Sequence, residues 1–269
     1  MQSKELLAVI AVAVVAILAC SFLIDSGSND DDTERIGIIG AMENEVANIK
    51  GAMHIERTEK IADMEFCVGT LDEKNIVVVQ CGMGKVNAGI CAQTLISQFN
   101  VKAVINTGVA GSLDNRLDIG DFVVSTDAVQ HDYDVSPIGY QKGEIPYTGL
   151  FAFKADETLR AKAAWAIELC LGSNMMEGRV CSGDQFVSTQ EQKERIISDF
   201  GGLCCEMEGG AIAQACYLND VPFVIIRAVS DKADASIVIP FEEFSKKAAV
   251  QCSQLVCYMI EHYDESPST

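Results

Sequence analysis

The sequence predicts an α/β fold of three layers, with helices on both faces of a mixed, mostly parallel central sheet. Several segments are continuous runs of β-branched and other apolar residues, such as RIGII at 35–39 and PFVIIRAV at 222–229. Such runs are typical of strands buried on both faces, and here they alternate with segments of helical periodicity. No internal repeat or second linker interrupts residues 35–269, so these residues are predicted to form one domain.

The individual elements follow from local pattern. The predicted strands share short apolar runs bounded by glycine or polar residues. They are 35–39, 75–81, 103–111, 121–129, 179–187 and 222–231. The predicted helices share apolar residues at spacings of three and four. They are 41–50, 86–99, 156–171, 208–219 and 241–262.

Residues 1–24 are predicted to be a membrane anchor or signal segment, followed by an acidic linker at 25–34. Residues 6–24 carry no charge over a length that can cross a bilayer. An uncleaved transmembrane helix, a cleaved signal sequence and lipidation at Cys20 all remain open. The single Lys4 weakly predicts that the main domain faces away from the cytoplasm. The many cysteines in apolar surroundings favour a reducing compartment instead, so the side of the membrane stays open.

Composition excludes several functional classes. The formal net charge of -19 opposes nucleic-acid binding, because phosphate-rich partners require a basic surface. The three histidines have no partner at zinc-like spacing, so no metal site is predicted. Neither a dinucleotide fingerprint, a triphosphate loop nor a serine-hydrolase elbow occurs, and no cofactor is expected.

Carboxylates are the best candidates for catalysis. Polar residues follow four apolar runs at 43–45, 106–112, 182–186 and 230–231, where sheets of this class bind ligands. Each segment alone is equally well explained as a solvated loop or a helix cap. Glu45, Glu208 and Asp231 are residue types that hold sugar hydroxyls, activate water or donate a proton. Hydrolysis of a glycosyl bond is therefore predicted in outline.

Several motifs together resemble the 5'-methylthioadenosine/S-adenosylhomocysteine nucleosidases of the nucleoside phosphorylase superfamily. They are IGIIGAMENEV, NTGVAGSL with DIGDFVVS, SGDQFV, EMEGGAIA and VPFVIIRAVSDKAD, in this order between residue 35 and about residue 262. The resemblance implies a nucleoside phosphorylase-like fold and a homodimer that acts without a cofactor. It also implies hydrolysis of the N-glycosidic bond of both nucleosides, which releases adenine.

The resemblance also implies roles for the matching residues. Asp231 would protonate adenine N7 with the help of Ser230, Glu45 would position and activate water, and Glu208 would bind the ribose hydroxyls beside Met207. The other implied contacts are Phe186 and Val187 at adenine, Met42, Met83 and Phe241 in the alkylthio pocket, Ala110 and Gly111 in the glycine-rich turn, and Val135, Ile138 and Pro146 from a second subunit. An ordinary aspartic acid is mostly ionised at neutral pH. The acid role therefore requires either surroundings that favour the protonated form or a proton relayed from water.

Two residues depart from the family pattern, and two other functions remain open. Val109 replaces a serine found in many relatives, and Gly210 replaces a larger residue. A phosphorylase of the same superfamily would need a phosphate site, but the segment NTGVAGS has no basic residue and Glu45 would repel the anion. A membrane-anchored nucleoside-binding protein without turnover is the second rival. Glu206 is interpreted as a structural carboxylate at a strand end or helix start.

Overall fold

The computed structural model describes residues 33–172, 174–234 and 241–265, and only the backbone of 241–245. Ten strands lie within these residues: β1 (Arg35–Gly40), β2 (His54–Ile61), β3 (Met64–Leu71), β4 (Lys74–Gln80), β5 (Val101–Ser112), β6 (Phe122–Gln130), β7 (Phe153–Lys154), β8 (Met175–Ser182), β9 (Cys204–Glu206) and β10 (Phe223–Asp231). Six α-helices accompany them: α1 (Glu43–Ala52), α2 (Lys85–Phe99), α3 (Glu157–Ala166), α4 (Gln190–Phe200), α5 (Gly209–Leu218) and α6 (Phe241–Glu261). A 3-10 turn spans Ser136–Ile138, and a π-helical turn, Ile167–Leu171, extends α3.

All ten strands belong to one sheet, part of which closes on itself. The strand order is β10-β6-β8-β9-β5-β1-β4-β3-β2, with β7 paired to β6. An additional pairing between β10 and β5 closes a ring of five strands. β5 is the longest strand and contacts β1, β9 and β10, so the ring and the open part of the sheet share it.

The prediction of a mixed sheet is confirmed, but its mostly parallel character is wrong. Of the ten strand pairings among the described residues, five are parallel and five are antiparallel. Two hairpins, β2–β3 and β3–β4, account for part of the difference. Their turns place Ala62–Asp63 and Asp72–Glu73 at positive φ without the usual Asn-Gly or Asp-Gly signal. β2 is also largely exposed, so the apolar pattern did not reveal it.

Helices cover both faces of the sheet, as predicted. On one face, buried residues of α2 and α5 such as Leu95 and Ile212 pack in one apolar core. On the other face, buried residues of α1, α3 and α6 pack in a second core, for example Ile49, Leu159 and Leu255. The fully buried strands β1 and β10 lie between these layers, which explains their uninterrupted apolar sequences.

Two local differences from the predicted elements matter for the site. The strand predicted at 179–187 runs instead over β8 and ends at Ser182, which leaves 183–187 as a loop. β8 and β9 are parallel to each other but antiparallel to β5, so not all of the polar segments follow strands of the same direction. α4 was not predicted because its sequence is strongly polar; Thr189 caps its first turn.

The predicted membrane segment at 1–24 lies outside the described residues, as does nearly all of the linker. Among the helices that are described, none combines the length and the apolarity needed to cross a bilayer. All ten described cysteines are free thiols and eight of them are buried, which confirms their interpretation as small apolar residues within this part of the chain.

Candidate active site

One cavity collects residues from all four polar segments predicted from the sequence. It encloses about 580 Å³ of space that protein atoms do not fill, including the part open to solvent. The lining residues are Ala41, Met42, Glu45, Met83, Val109, Ala110, Gly111, Gln185, Phe186, Val187, Cys205, Glu206, Met207, Glu208, Ser230 and Asp231. Cys205 and Glu206 belong to β9 of the closed ring, whereas Ala41 and Met42 follow β1 of the open sheet, so only the tertiary fold brings these residues together.

Glu45 lies in the first turn of α1 and is almost completely buried. One carboxylate oxygen accepts hydrogen bonds from the backbone N–H groups of Ala41 and Met42, at 2.7 and 2.9 Å. The other accepts from the N–H of Val109 at 3.1 Å. Burial raises the pKa of Glu45, and the positive charge of Arg227 and these three N–H groups offset only part of the rise. A carboxylate of raised basicity is suited to take a proton from water.

Gly108 makes room for Glu45 beneath the strand β5. A methyl group at this position would overlap the side chains of Arg227 and Glu45. The glycine of the NTGVAGS segment therefore permits a close approach of side chains to the backbone, and no nucleotide phosphate is needed to explain it.

Asp231 is the last residue of β10 and is buried beside the cavity. The Ser230 hydroxyl donates a hydrogen bond to one of its oxygens at 2.9 Å, and the Ala233 N–H donates to the other at 2.8 Å. A side chain at Gly111 would meet the carboxylate at 2.8 Å, so this glycine too provides space. The orientation of Asp231 is thus fixed by hydrogen bonds from Ser230 and Ala233, and Gly111 of β5 leaves room for the carboxylate.

Glu208 immediately precedes α5 and is also buried. One oxygen accepts a hydrogen bond of 2.9 Å from the backbone N–H of Gly84, and the other lies 3.6 Å from Arg227. Burial and the neighbouring charge of Glu206 raise the pKa of Glu208 to about 7, against the opposing effects of Arg227 and the Gly84 N–H. Ionised Glu208 therefore lacks full compensation from the protein and can accept further hydrogen bonds.

Glu206 has quite different surroundings, although it is only two residues away. Its carboxylate accepts from the Ser182 hydroxyl, from the Arg227 guanidinium and from the backbone N–H groups of Glu208 and Gly209. The two backbone donors lie at the start of α5, where a negative charge is favourable. The contacts agree with the interpretation of Glu206 as a structural carboxylate.

Arg227 is a buried charged residue beside the site that was not predicted from the sequence. It lies in the middle of β10, is almost completely buried, and donates to Asn106 at 2.6 Å as well as to Glu206. Burial would lower the pKa of Arg227, but the carboxylates of Glu206, Glu208 and Glu45 outweigh burial and raise it. The signal was available, since an arginine inside the otherwise apolar run FVIIRAV needs a buried partner of opposite charge.

Comparison with known proteins identifies the family. The family described as "Phosphorylase superfamily" matches residues 35–261. A 5'-methylthioadenosine/S-adenosylhomocysteine nucleosidase of Staphylococcus epidermidis is 43% identical over 227 residues, covering 84% of this chain and 99% of the relative. The chain belongs to this nucleosidase family.

Two solved structures support the same assignment of fold. The nucleosidase of Neisseria meningitidis, in complex with methylthio-immucillin-A, is 36% identical with a TM-score of 0.81, covering 85% of this chain and 99% of its own. A futalosine hydrolase mutant of Helicobacter pylori is 32% identical, also with a TM-score of 0.81, and covers 86% and 100%. The nucleoside phosphorylase-like fold expected from the motifs is thereby confirmed.

The other residues that the family resemblance singled out divide into three groups. Met42, Met83, Ala110, Gly111, Phe186, Val187, Met207 and Ser230 all line the cavity. Val187 is buried, whereas Met83 and Phe186 are 63% and 51% exposed. The side chain of Phe241 lies outside the described residues. Val135, Ile138 and Pro146 do not line the cavity of their own chain, and Ile138 is 72% exposed.

The two departures from the family pattern have structural accounts. Val109 contacts Glu45 through its backbone N–H, which any residue except proline supplies. Gly210 donates its N–H to the Ser182 hydroxyl at 2.5 Å, and a side chain there would press on Ser182 and Gln130 at 3.0 Å. Among the described residues, no cluster of three or more His, Cys, Asp or Glu side chains is arranged to hold a metal ion.

Proposed function

We propose that this chain hydrolyses the N-glycosidic bond of 5'-methylthioadenosine and S-adenosylhomocysteine, releasing adenine and the corresponding thioribose. The observation that carries the proposal is the convergence of Glu45, Glu208 and Asp231 from three separate segments on one cavity. The family relatives are named for these two nucleosides. The three carboxylates supply the charges that this reaction needs.

The proposed mechanism begins at the ribose. The transition state is oxocarbenium-like, so negative carboxylates near the sugar stabilise its developing positive charge. Glu45 takes a proton from the water that attacks C1', and Glu208 accepts hydrogen bonds from the two ribose hydroxyls. Their raised pKa values agree with these roles, because each carboxylate is short of compensating charge until substrate or water arrives.

Adenine leaves as the neutral base once it is protonated. In the proposed mechanism Asp231 gives a proton to N7 as the C1'–N9 bond breaks, and Ser230 holds the carboxyl group in place. Phe186 stacks on the purine and the backbone of Val187 reads its edge. Met42 and Met83, which line the cavity, would contact the 5'-thioether, for which polarizable methionines are well suited. The family resemblance adds Phe241 to this pocket and places Met207 beside the ribose.

Charge distinguishes hydrolysis from phosphorolysis. Among the described residues that line the cavity there are four carboxylates and no lysine or arginine. Arg227 does not line the cavity, and its positive charge is paired with Glu206 and Glu208. A phosphate ion would meet negative charge without a compensating cation, so water is the preferred nucleophile.

We also propose that the active form is a homodimer. Met83, Val86 and Ile90 place apolar side chains at one face of the start of α2, and all three are exposed. Val135, Ile138 and Pro146 would reach the 5' pocket of the partner subunit. Sedimentation of the purified chain tests this: a monomer at enzymatic concentrations contradicts it.

The apolar segment at 6–24 is proposed to attach the domain to a membrane, with the side left open. Family members are expected to be cytoplasmic, whereas Lys4 weakly favours the opposite side of the membrane for this domain. Protease protection in intact cells and after lysis decides the side. Recovery of the whole chain from the soluble fraction, with an intact N terminus, rules the attachment out.

Adenine release by the purified full-length chain tests the proposed activity. The substrates to compare are methylthioadenosine, S-adenosylhomocysteine, 5'-deoxyadenosine and aminodeoxyfutalosine, because the width of the 5' pocket depends on packing and on the partner subunit. Release from the first two without phosphate, and its loss in Asp231→Asn, is expected. A strict phosphate requirement indicates a phosphorylase instead. Binding without release indicates a nucleoside-binding protein.

A further inference from the structure

A hydrogen-bonded network outside the three catalytic carboxylates joins three separate segments beside the cavity. The Lys85 ammonium pairs with one oxygen of Asp132 at 2.5 Å. The other oxygen of Asp132 accepts the backbone N–H of Asp184 at 2.8 Å. The Asp184 carboxylate in turn accepts the backbone N–H of Lys85, also at 2.8 Å. These contacts form a closed ring, called here the Lys85–Asp132–Asp184 network.

Each side of this network borders a different part of the proposed substrate. Gly84, which precedes Lys85, donates its backbone N–H to Glu208, the carboxylate assigned to the ribose. Asp184 stands two residues before Phe186, the side chain assigned to adenine. The ribose carboxylate and the adenine loop at 183–187 are therefore connected through only a few hydrogen bonds.

The network also reaches the helix that begins after Glu208. Lys85 donates to the side chain of Gln130 at 3.1 Å, and Gln130 donates to Gln214 of α5 at 2.6 Å. Gly84 has a φ of 97°, and a side chain at this position would lie 3.1 Å from Asp184. The backbone at Gly84 and Lys85 is thus held from two directions, because Glu208 accepts the N–H of Gly84 and Asp184 accepts the N–H of Lys85.

Burial and charge make the Lys85–Asp132 pair stronger than an ordinary surface pair. The two side chains are only 15% and 16% exposed. Burial alone would raise the pKa of Asp132, but Lys85 and the Asp184 N–H outweigh burial and lower it. Asp132 therefore stays ionised, and charge-assisted hydrogen bonds hold both of its oxygens.

We propose that Asp132 and Asp184 are positioning residues that, together with Lys85, set the adenine loop at 183–187 in register with the ribose carboxylate Glu208. The inference rests on the proposed function, because it concerns the placement of the two substrate halves across the bond that breaks. Small displacements matter here, since a shift of about 1 Å in a reacting group can cost about 100-fold in rate. Neither residue lines the cavity, so they act through Phe186, Val187 and Glu208.

The structure supplies a matched control. Asp127 pairs with Arg179 at 2.6 Å, and the two side chains are 20% and 27% exposed. This pair resembles Lys85–Asp132 in burial and charge, and Asp127 lies in β6, the strand that Asp132 follows. The Asp127–Arg179 pair contacts no residue of the cavity lining among its described partners. A merely structural role predicts similar consequences for Asp132→Asn and Asp127→Asn.

The test compares Asp132→Asn, Asp184→Ala, Asp184→Asn and Asp127→Asn in the full-length chain. Calorimetric titration gives the Kd for adenine, adenine release from methylthioadenosine gives kcat and KM, and thermal unfolding gives Tm. Asp132→Asn and Asp184→Ala are expected to weaken adenine binding about tenfold, which is the value of one charge-assisted hydrogen bond. Their kcat/KM is expected to fall about 100-fold.

The controls separate positioning from stability. Asp184→Asn keeps an oxygen that accepts the Lys85 N–H, so it should recover most of the adenine affinity. Asp127→Asn should lower Tm as Asp132→Asn does, while its adenine Kd stays at the wild-type value. Because Asp184 is exposed, its two variants decide the question even where Asp132→Asn does not fold.

Unchanged adenine affinity in Asp184→Ala overturns the inference, and so does an equal loss in Asp127→Asn. Wild-type chain that binds no adenine at all overturns it together with the proposed function. Wild-type chain that binds adenine but releases none from nucleosides contradicts the proposed function alone. The adenine titrations of the variants then still decide the role of the network.

Discussion

Glu206 and Glu208 are two residues apart and both are buried, yet their surroundings are opposite. Glu206 is surrounded by donors from Ser182, Arg227 and the start of α5. Glu208 has one backbone donor and a more distant arginine, and its pKa rises to about 7. A buried carboxylate whose hydrogen bonds are complete stabilises the fold, whereas one whose hydrogen bonds are incomplete is available to a ligand.

A second comparison, between the proposed base Glu45 and its neighbour Glu43, gives the largest expected effect: Glu45 is buried and lines the cavity, whereas Glu43 is exposed. Glu45→Gln is expected to lower kcat for adenine release by about 100- to 10,000-fold, because the general base is removed. Glu43→Gln is the control: this side chain is exposed and pairs only with Lys50 among its described contacts. Equal losses in the two variants would contradict the assignment of Glu45.

Replacing Glu206 tests the structural side of the comparison. Glu206→Gln is expected to reduce the free energy of unfolding by about 3–5 kcal/mol, because it leaves Arg227 buried with its main countercharge removed. Denaturant unfolding measures this change. If stability is retained while kcat falls as far as in Glu45→Gln, the division between the two glutamates is wrong.

The pH dependence of stability tests the raised pKa of Glu208. The pKa of Glu208 is about 7 in the folded protein, against 4.5 for the ordinary side chain. Between these values the folded state binds more protons than the unfolded state, so the contribution of Glu208 to stability is full below pH 4.5 and is lost as pH rises through 7. The wild type should lose about 3 kcal/mol relative to Glu208→Gln over this range. Denaturant unfolding below pH 4.5 and above pH 7 measures the difference in stability between the wild type and Glu208→Gln. If this difference is the same at both pH values, Glu208 does not cause the pH dependence.

Glu208→Gln itself is expected to lower kcat/KM about 100-fold, since two charge-assisted hydrogen bonds to the ribose are weakened. Its stability at pH 7.5 should equal or exceed that of the wild type, unlike that of Glu206→Gln. Steady-state kinetics and unfolding on the same preparation provide the comparison. A variant that unfolds easily but turns over normally would reverse the roles of the two residues.

The smallest effect is expected at Val109. Val109→Ser should change kcat/KM by less than about tenfold, because the contact to Glu45 comes from the backbone N–H. Gly108→Ala, one residue earlier, should lower kcat/KM far more than Val109→Ser does, since the added methyl group overlaps Glu45 and Arg227. The pair tests whether the glycine-rich segment acts through its backbone. A large loss in Val109→Ser would show that its side chain matters instead.

The sequence by itself determined the α/β class with a mixed sheet, most helices and strands, and the three catalytic candidates, but not the balance of parallel and antiparallel strands. Apolar periodicity is a local property, so each of the strands β1, β5 and β10 can be predicted from its own segment of sequence. Glu45, Glu208 and Asp231 can be recognised as candidates because a carboxylate beside an apolar strand is costly to bury unless it is paired or hydrogen-bonded.

The tertiary structure decided what local pattern does not encode. Only the closing of the ring between β5 and β10 brings Arg227 beside Glu206, and only then do Glu206 and Glu208 acquire different partners. The hairpins of β2, β3 and β4 escaped prediction because their turns lack the usual residues. The Lys85–Asp132–Asp184 network joins residues up to 99 positions apart. Such contacts depend on which strands become neighbours, and the free energy that selects those neighbours comes from burial of the whole core.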